Sequence, residues 1–293
     1  MSDPILNAFT VDVEDYFHVS AFSRHVAIKD WDHLESRVVA NTHRILELLN
    51  HHQVRGTFFV LGWVAEKYPR LVREIHRAGH EIGSHSYQHQ LVYQMTPEDF
   101  REDLLLSCKV LEEITGEKVT SYRAPSFSIT QKSLWALDIL IEEGIEIDSS
   151  IFPVRHDVYG IPGAEVRPHQ LQRNNGKIWE FPGTVCQVLG LDLPVGGGGY
   201  FRILPKQWTF SQLDAINKRH KRPFNFYIHP WEIDPQQPRI SSTWKSRFRH
   251  YTNLGKTESR LRELLTRFNF GSLTECLPQD VVSVEIPAMA RAV

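Results

Sequence analysis

His85 and His89 stand four apart in GHEIGSHSYQHQ (79–90), directly after a Gly-Ser turn signal. On a helical turn that spacing puts both imidazoles on one face, with Cβ atoms about 5 to 6 Å apart, close enough to share one ion. Two solvated histidines would fit the pair equally well, so a third ligand, a base and an acid must be found elsewhere. VDVED (11–15) offers Asp12, Glu14 and Asp15 at the end of a β-prone run. One carboxylate can complete a two-His, one-carboxylate set that leaves coordination positions open, and another can hold a proton. Alone, the three acids need do no more than solvate a turn. FYIHPWEID (226–234) repeats the pattern, with His229 held between bulky neighbours at the end of a second β-prone run. An imidazole there can serve as a general acid, because its ordinary pKa lies near neutrality; a buried histidine bonded to backbone is the plain alternative. Arg123 in YRAPSFS is always charged and can orient a carboxylate bidentately or form a surface salt bridge.

Strand and helix patterns alternate around these residues. AFTVDV reads as a strand and residues 34–53 as a helix with apolar positions at helical spacing. VRGTFFVLG reads as a buried strand, WVAEKYPRLVREIHRAG as a helix stopped by Gly79, and HEIGSHS as a third strand. Residues 97–115 form a helix opened by Pro97 and ended by Gly116; VTSYRAPSFS and SLWALDILIEEG continue the alternation. Repeated βα units imply a parallel sheet with helices outside it, open or closed into a barrel, with function at the carboxyl ends of the strands. The candidate residues all fall at such ends. Residues 151–205 are less regular, and GGGGYFR (196–202) permits unusual dihedrals or close backbone approach to a ligand. No phosphate-loop Lys-Ser or Lys-Thr follows, so a plain surface connection is the other reading. The expected organisation is one domain over 1–240 and an extension over 241–293 with an amphipathic helix packed on it.

Bulk composition excludes several functions. A 293-residue chain that is 41% hydrophobic and 23% charged is an ordinary globular composition. Lys+Arg 33 against Asp+Glu 35 leaves a formal charge of -2, no electrostatic footprint for nucleic acid or an anionic membrane. Fifteen histidines are an excess of the commonest metal-ligand type. Cys108, Cys186 and Cys276 have no CxxC spacing, which excludes a zinc ribbon or disulfide scaffold and fits a reducing compartment. MSDPILNAFTVDVEDYF has no basic region followed by an apolar one, and the apolar runs are too short for a membrane span. The expectation is a cytoplasmic protein without a membrane span; oligomeric state is not encoded in any of these features.

The chain resembles the NodB-homology polysaccharide deacetylases of carbohydrate esterase family 4 over most of residues 8–235. TVDVED resembles the first motif, usually TFDD; HSYQH matches the HxxxH metal motif; RAPSF resembles the third motif, usually RxPxG; YIHP resembles the closing LxH motif. RGTFFVLG and YPRLVREIHRAGHEIGSHS match connecting segments. DVEDYFHV, DSSIFP, GGGYFR and FRHYTNLGKTESRL resemble a subgroup from bacterial exopolysaccharide and exosortase (PEP-CTERM) loci.

The resemblance implies an α/β fold, a distorted (β/α)7 barrel of the NodB type. It implies a divalent metal, Zn²⁺ with Co²⁺ as an alternative, on His85, His89 and one first-motif carboxylate. Val13 stands where TFDD has its metal-binding Asp, so the ligand falls to Glu14, with Asp15 kept open. It further implies Asp12 as the base that deprotonates the attacking water, Arg123 keeping Asp12 ionised and aimed, a backbone N–H near Ser126 holding the oxyanion, and His229 protonating the leaving amine. Ile228 and Trp231 would wall the acetyl methyl group. Two departures stand out: Phe127 replaces the usual Gly of the third motif, and EFPGT (180–184), in the region of the fourth, lacks its Asp-Trp pair, so no residue there is assigned to tune His229. The implied substrate is an N-acetylated amino-sugar polymer or lipid-linked oligosaccharide of an exopolysaccharide pathway. Peptidoglycan is the alternative within the class; a non-sugar amidase and a metal-bearing carbohydrate-binding protein are the rivals outside it.

Overall fold

The computed structural model of the chain describes residues 5–156, 158–279 and 282–285. The start of the N-terminal stretch (1–4) and the end of the C-terminal extension (286–293) lie outside the described residues, as do 157, 280 and 281. The strands are β1 (Leu6–Val13), β2 (Thr57–Val60), β3 (Glu81–Ser84), β4 (Ser121–Tyr122), β5 (Ile147–Asp148), β6 (His169–Arg173), β7 (Gly176–Glu180), β8 (Val185–Val188), β9 (Leu191–Pro194), β10 (Asn225–Ile228), β11 (Asn269–Gly271) and β12 (Ser283–Glu285). Seven of them run parallel in the order β10-β1-β2-β3-β4-β5-β7. β6 is antiparallel to β7 and carries β12 on its far side, and β11 adds to β1. Between the end of β7 and β10 the ring is completed irregularly: Thr184 Oγ1 bonds the backbone N and O of Asn225, and Gly197 bridges Tyr227. That stitched seam makes the barrel a distorted one.

Strand alternation sorts the side chains. Phe9, Val11 and Val13 of β1 join the large core shared with the surrounding helices, while Ala8 belongs to a small inner cluster with Phe59, Ile147 and Phe181. Thr10 and Asp12 share the inner face with Ala8, because successive strand residues point to opposite sides. The interior therefore grows more polar toward the carboxyl end of β1.

Three local readings change. The helix expected through WVAEKYPRLVREIHRAG divides into Gly62–Lys67 and Pro69–Arg77, since Pro69 has no N–H to continue the first helix and suits the opening of the second. The segment after 240 carries two helices, Trp244–Tyr251 and Leu254–Arg267, parted at Asn253 with φ 58°. The four glycines of 196–199 form no surface loop: 196–198 are buried, and a Cβ on Gly197 would lie 2.0 Å from the Tyr227 carbonyl oxygen. Their role is close approach to β10.

Candidate active site

β1, β2, β3 and β10 are neighbours in the sheet, so their carboxyl ends deliver Asp12, Glu14, His85, His89 and His229 to one mouth. The His pair does not lie on a helix. Residues 85–90 form a bend in which Ser86 and His89 have φ of 68° and 54°. The cause lies in the helix Pro97–Thr115: the Asp103 carboxylate accepts from the Tyr87 N–H at 2.8 Å, the Gln88 N–H at 3.1 Å and the Ser86 hydroxyl. One half-buried carboxylate thus satisfies the donors that a helix would have used.

Glu14, His85 and His89 bring one ligand atom each to within 4.8 Å of one another, all three buried. Glu14 Oε2 and His89 Nε2 are 2.6 Å apart, yet Glu14 Oε2 has no hydrogen-bond partner. Three ligand atoms this close together suit a shared cation, which would also compensate a buried carboxylate oxygen that is otherwise costly to leave without a hydrogen bond. His85 Nδ1 lies 2.8 Å from the Arg123 carbonyl and donates to it, which fixes the tautomer and frees Nε2 as a ligand. Burial lowers the His85 pKa to about 4 against the opposing charge of Asp12, so the ring is neutral at pH 7, as a ligand must be. Burial pushes the Glu14 carboxyl up, but His89, His229 and His85 outweigh it and hold Glu14 far below the ordinary carboxylate range. The donor set of two imidazoles and one carboxylate fits Zn²⁺ or a similar divalent ion. Asp15, the other candidate ligand, is engaged elsewhere. Its oxygens accept from the Ser36 hydroxyl, the Arg37 and Val38 N–H groups and the Tyr16 N–H, tying it to the start of the helix Val38–His51.

Asp12 is buried beside this cluster. Arg123, fully buried, donates from Nη1 to Asp12 Oδ1 and to Thr10 Oγ1, both at 2.8 Å, and from Nε and Nη2 to Ser149. The expected bidentate clamp is therefore a single bond, because the rest of the guanidinium is held by the strand ends around it. Its planar face lies 4.4 Å over the Phe59 ring. His229 Nε2 is 3.7 Å from Asp12 Oδ2 and 3.6 Å from Glu14 Oε1. Burial pulls the His229 pKa down, but the Glu232 hydrogen bond and the charges of Glu14, Glu232 and Asp12 prevail and carry it up to about 9. A cation on Glu14 would work against that rise.

Ile228 is not part of this mouth. It faces the outer core with Val11, its partner across β10 and β1, whereas Tyr227 and His229 share the inward face with ring centroids 5.9 Å apart. Strand alternation, applied to YIH, identifies Tyr227 as the inward aromatic. Trp231 stacks on His229 at 5.1 Å and donates from Nε1 to Glu14 Oε1 at 3.2 Å. Ser126 and Phe127 both have φ of 53°, so the chain keeps a left-handed backbone where the third motif usually has Gly. Phe127 holds it by packing on Phe152 at 5.0 Å and Tyr227 at 5.1 Å, and Ser126 Oγ is 2.8 Å from Ser20 Oγ. Two residues not anticipated from sequence also border the site. His18, whose Nδ1 accepts from the Asp15 N–H, is wedged against Trp31 and Trp63. Glu232 lies 3.0 Å from His229 Nδ1; a carboxylate three residues after a strand-end histidine was the available signal.

Residues 27–140 match the family described as polysaccharide deacetylase, and residues 149–278 match a domain of unknown function, DUF3473. A peptidoglycan-N-acetylglucosamine deacetylase of Bacillus cereus is 28% identical over 142 residues, covering 44% of this chain and 50% of that protein. A peptidoglycan-N-acetylmuramic acid deacetylase of Bacillus subtilis is 32% identical over 84 residues, 29% of this chain and 32% of that protein. The chain spans half or less of the length of these curated relatives. The crystal structure of a probable polysaccharide deacetylase from Pseudomonas aeruginosa superposes with a TM-score of 0.59 at 15% identity, covering 89% of this chain and 84% of that one. That of a putative polysaccharide deacetylase from Mycobacterium smegmatis gives 0.57 at 20%, covering 96% and 88%. The barrel is thus the NodB-type barrel. Among the described residues no helix is long and apolar enough to cross a membrane.

Proposed function

We propose that the chain, whose residues 27–140 match the polysaccharide deacetylase family, is a metal-dependent hydrolase removing N-acetyl groups from amino sugars of a bacterial exopolysaccharide or its precursor. The observation that carries this reading is the convergence of Glu14, His85 and His89, with Asp12 and His229 both within 4 Å of each other on its border. A binding module would have no use for that base and acid, and three ligands leave room for substrate where a structural site would be closed by four. Zn²⁺, or Co²⁺ in its place, supplies Lewis acidity toward the amide carbonyl and lowers the pKa of water.

The chain's own residues do the rest. Asp12, aimed by Arg123, takes the proton of the attacking water. The backbone N–H near Ser126 holds the oxygen that gains negative charge. As the C–N bond breaks, its electron pair goes to nitrogen, which takes the proton of His229 Nε2, so the sugar leaves as a neutral amine. Trp231 and Tyr227 supply the apolar wall for the methyl group.

The exopolysaccharide or lipid-linked substrate rests on the subgroup resemblance of DVEDYFHV, DSSIFP and the C-terminal helices. Peptidoglycan is the second reading, favoured by the names of the curated relatives. Acetate release from N-acetylglucosamine oligomers, from a partly N-acetylated exopolysaccharide and from peptidoglycan, at equal acetyl concentration, separates them. Turnover of peptidoglycan above the other two would reverse the preference; none on any amino sugar, with acetate released from a simple acylated amine, would favour the amidase.

A further inference from the structure

Behind His229, opposite the mouth, three segments distant in sequence meet. Glu232 Oε2 accepts from the His229 backbone N–H and from Nδ1, both at 3.0 Å. Its other oxygen accepts from Arg202 Nε at 2.7 Å. Arg202 is only 1% exposed, and it belongs to the GGGGYFR segment. Its remaining nitrogens donate to the carbonyls of Arg249 at 2.8 Å, His250 at 2.9 Å and Thr252 at 2.8 Å. These are the carbonyls at the end of the helix Trp244–Tyr251, which no further turn can satisfy, and a guanidinium is well suited to them. From the same helix His250 stacks on Trp231 at 4.1 Å and 13°, so the indole is held between His250 and His229.

A buried arginine joined to one carboxylate and three carbonyls costs more than fold stability requires, because an apolar contact would close the same gap without desolvating a charge. The cost is understandable if the product is a fixed orientation of the group at the far end of the chain. We propose that Glu232, anchored by Arg202 and through it by the helix Trp244–Tyr251, is the positioning residue of His229. With Nδ1–H held by Glu232, the transferable proton sits on Nε2, which faces Asp12 and Glu14. GGGGYFR and the helix Trp244–Tyr251 become parts of the active site's back wall. This rests on the reading of His229 as proton donor to the leaving amine.

The test compares Glu232→Gln, which keeps an acceptor but not the charge, with Glu232→Ala, which keeps neither, in the zinc-loaded full chain. On an N-acetylglucosamine oligomer kcat is expected to fall about tenfold for Gln and 100-fold or more for Ala, with KM changed less than about threefold. An aryl acetate, whose phenolate leaves without a proton, should be turned over within about threefold of wild type by both. Independently of turnover, the long-range ¹H–¹⁵N spectrum should lose the Nδ1–H signature of His229 in Glu232→Ala and retain it in Glu232→Gln. Equal amide turnover by all three proteins, or an unchanged His229 tautomer in Glu232→Ala, overturns the proposal. His229→Gln run in parallel keeps the two readings apart: if it spares the ester and loses the amide while the Glu232 variants do not, only the positioning role falls. If it loses neither, or both equally, the proton-donor reading falls and this one with it.

Discussion

Glu14 Oε2 and His89 Nε2 stand 2.6 Å apart, both side chains buried. With His85 bringing a third ligand atom to within 4.8 Å, this buried pair can turn its lone pairs on one divalent cation. Zn²⁺ at 100 times its Kd should then stabilise the fold by about 2.7 kcal/mol, a rise of several degrees in Tm. Differential scanning fluorimetry of chelated and reloaded protein measures this. The increment should vanish in Glu14→Ala and His85→Ala and survive in Asp15→Asn, whose side chain serves the helix Val38–His51. Equal increments in all four proteins would place the ion elsewhere.

Asp12 is set apart from the ligands by its single bond to Arg123. Asp12→Asn keeps an oxygen for that bond but has no basicity. Turnover should fall by about 10²- to 10⁴-fold while the zinc content per chain stays at wild type. Loss of zinc together with activity would make Asp12 a ligand.

Phe127 sets two effects against each other. Glycine would relax the left-handed backbone by about 1 kcal/mol, but removing the ring abandons Phe152, Tyr227 and Tyr159, and loss of a buried phenyl costs about 3 to 5 kcal/mol. Packing wins, so Phe127→Gly should destabilise the protein by about 2 to 4 kcal/mol in urea denaturation. A stabilised variant would mean that the aromatic cluster contributes little.

Asp148 and Glu180, paired across β5 and β7, are both fully buried. Burial raises the Asp148 carboxyl to about 6 and holds Glu180 well above the ordinary carboxylate range, with Asp148 adding to the rise. Above pH ~4 the unfolded chain has released protons that the fold retains, so this pair lowers stability as pH rises from about 4 toward 8. Glu180→Gln can still accept from the Ile151 N–H and can donate to Asp148. Its stability should decline less between pH 5 and 8, by about 1 to 2 kcal/mol, in urea midpoints taken along that range. Parallel pH profiles would contradict the proton uptake assigned to this pair.

Much of the site was legible because strand alternation and motif spacing are local. TVDVED marks Asp12, Glu14 and Asp15 at a strand end, and the separation of His85 from His89 marks a ligand pair. The bend that aims the pair was not legible: its cause is Asp103, supplied by a helix later in the chain. Period-two alternation in YIH places Tyr227, and not Ile228, on the face of His229. The glycines of GGGGYFR gave no sign that they serve contact with β10, because Tyr227 is distant in sequence and the close approach exists only after folding. The link from His229 through Glu232 and Arg202 to the end of a C-terminal helix escaped for the same reason.

The central claim is that Glu14, His85 and His89 hold the ion on which acetate release depends. The most direct measurement is acetate released from an N-acetylglucosamine oligomer by metal-stripped protein titrated with Zn²⁺. The account predicts no release before addition, a plateau at one equivalent of zinc, and none at any zinc level in His85→Ala. Release that is the same with and without metal, or that persists in His85→Ala at one equivalent, would contradict it.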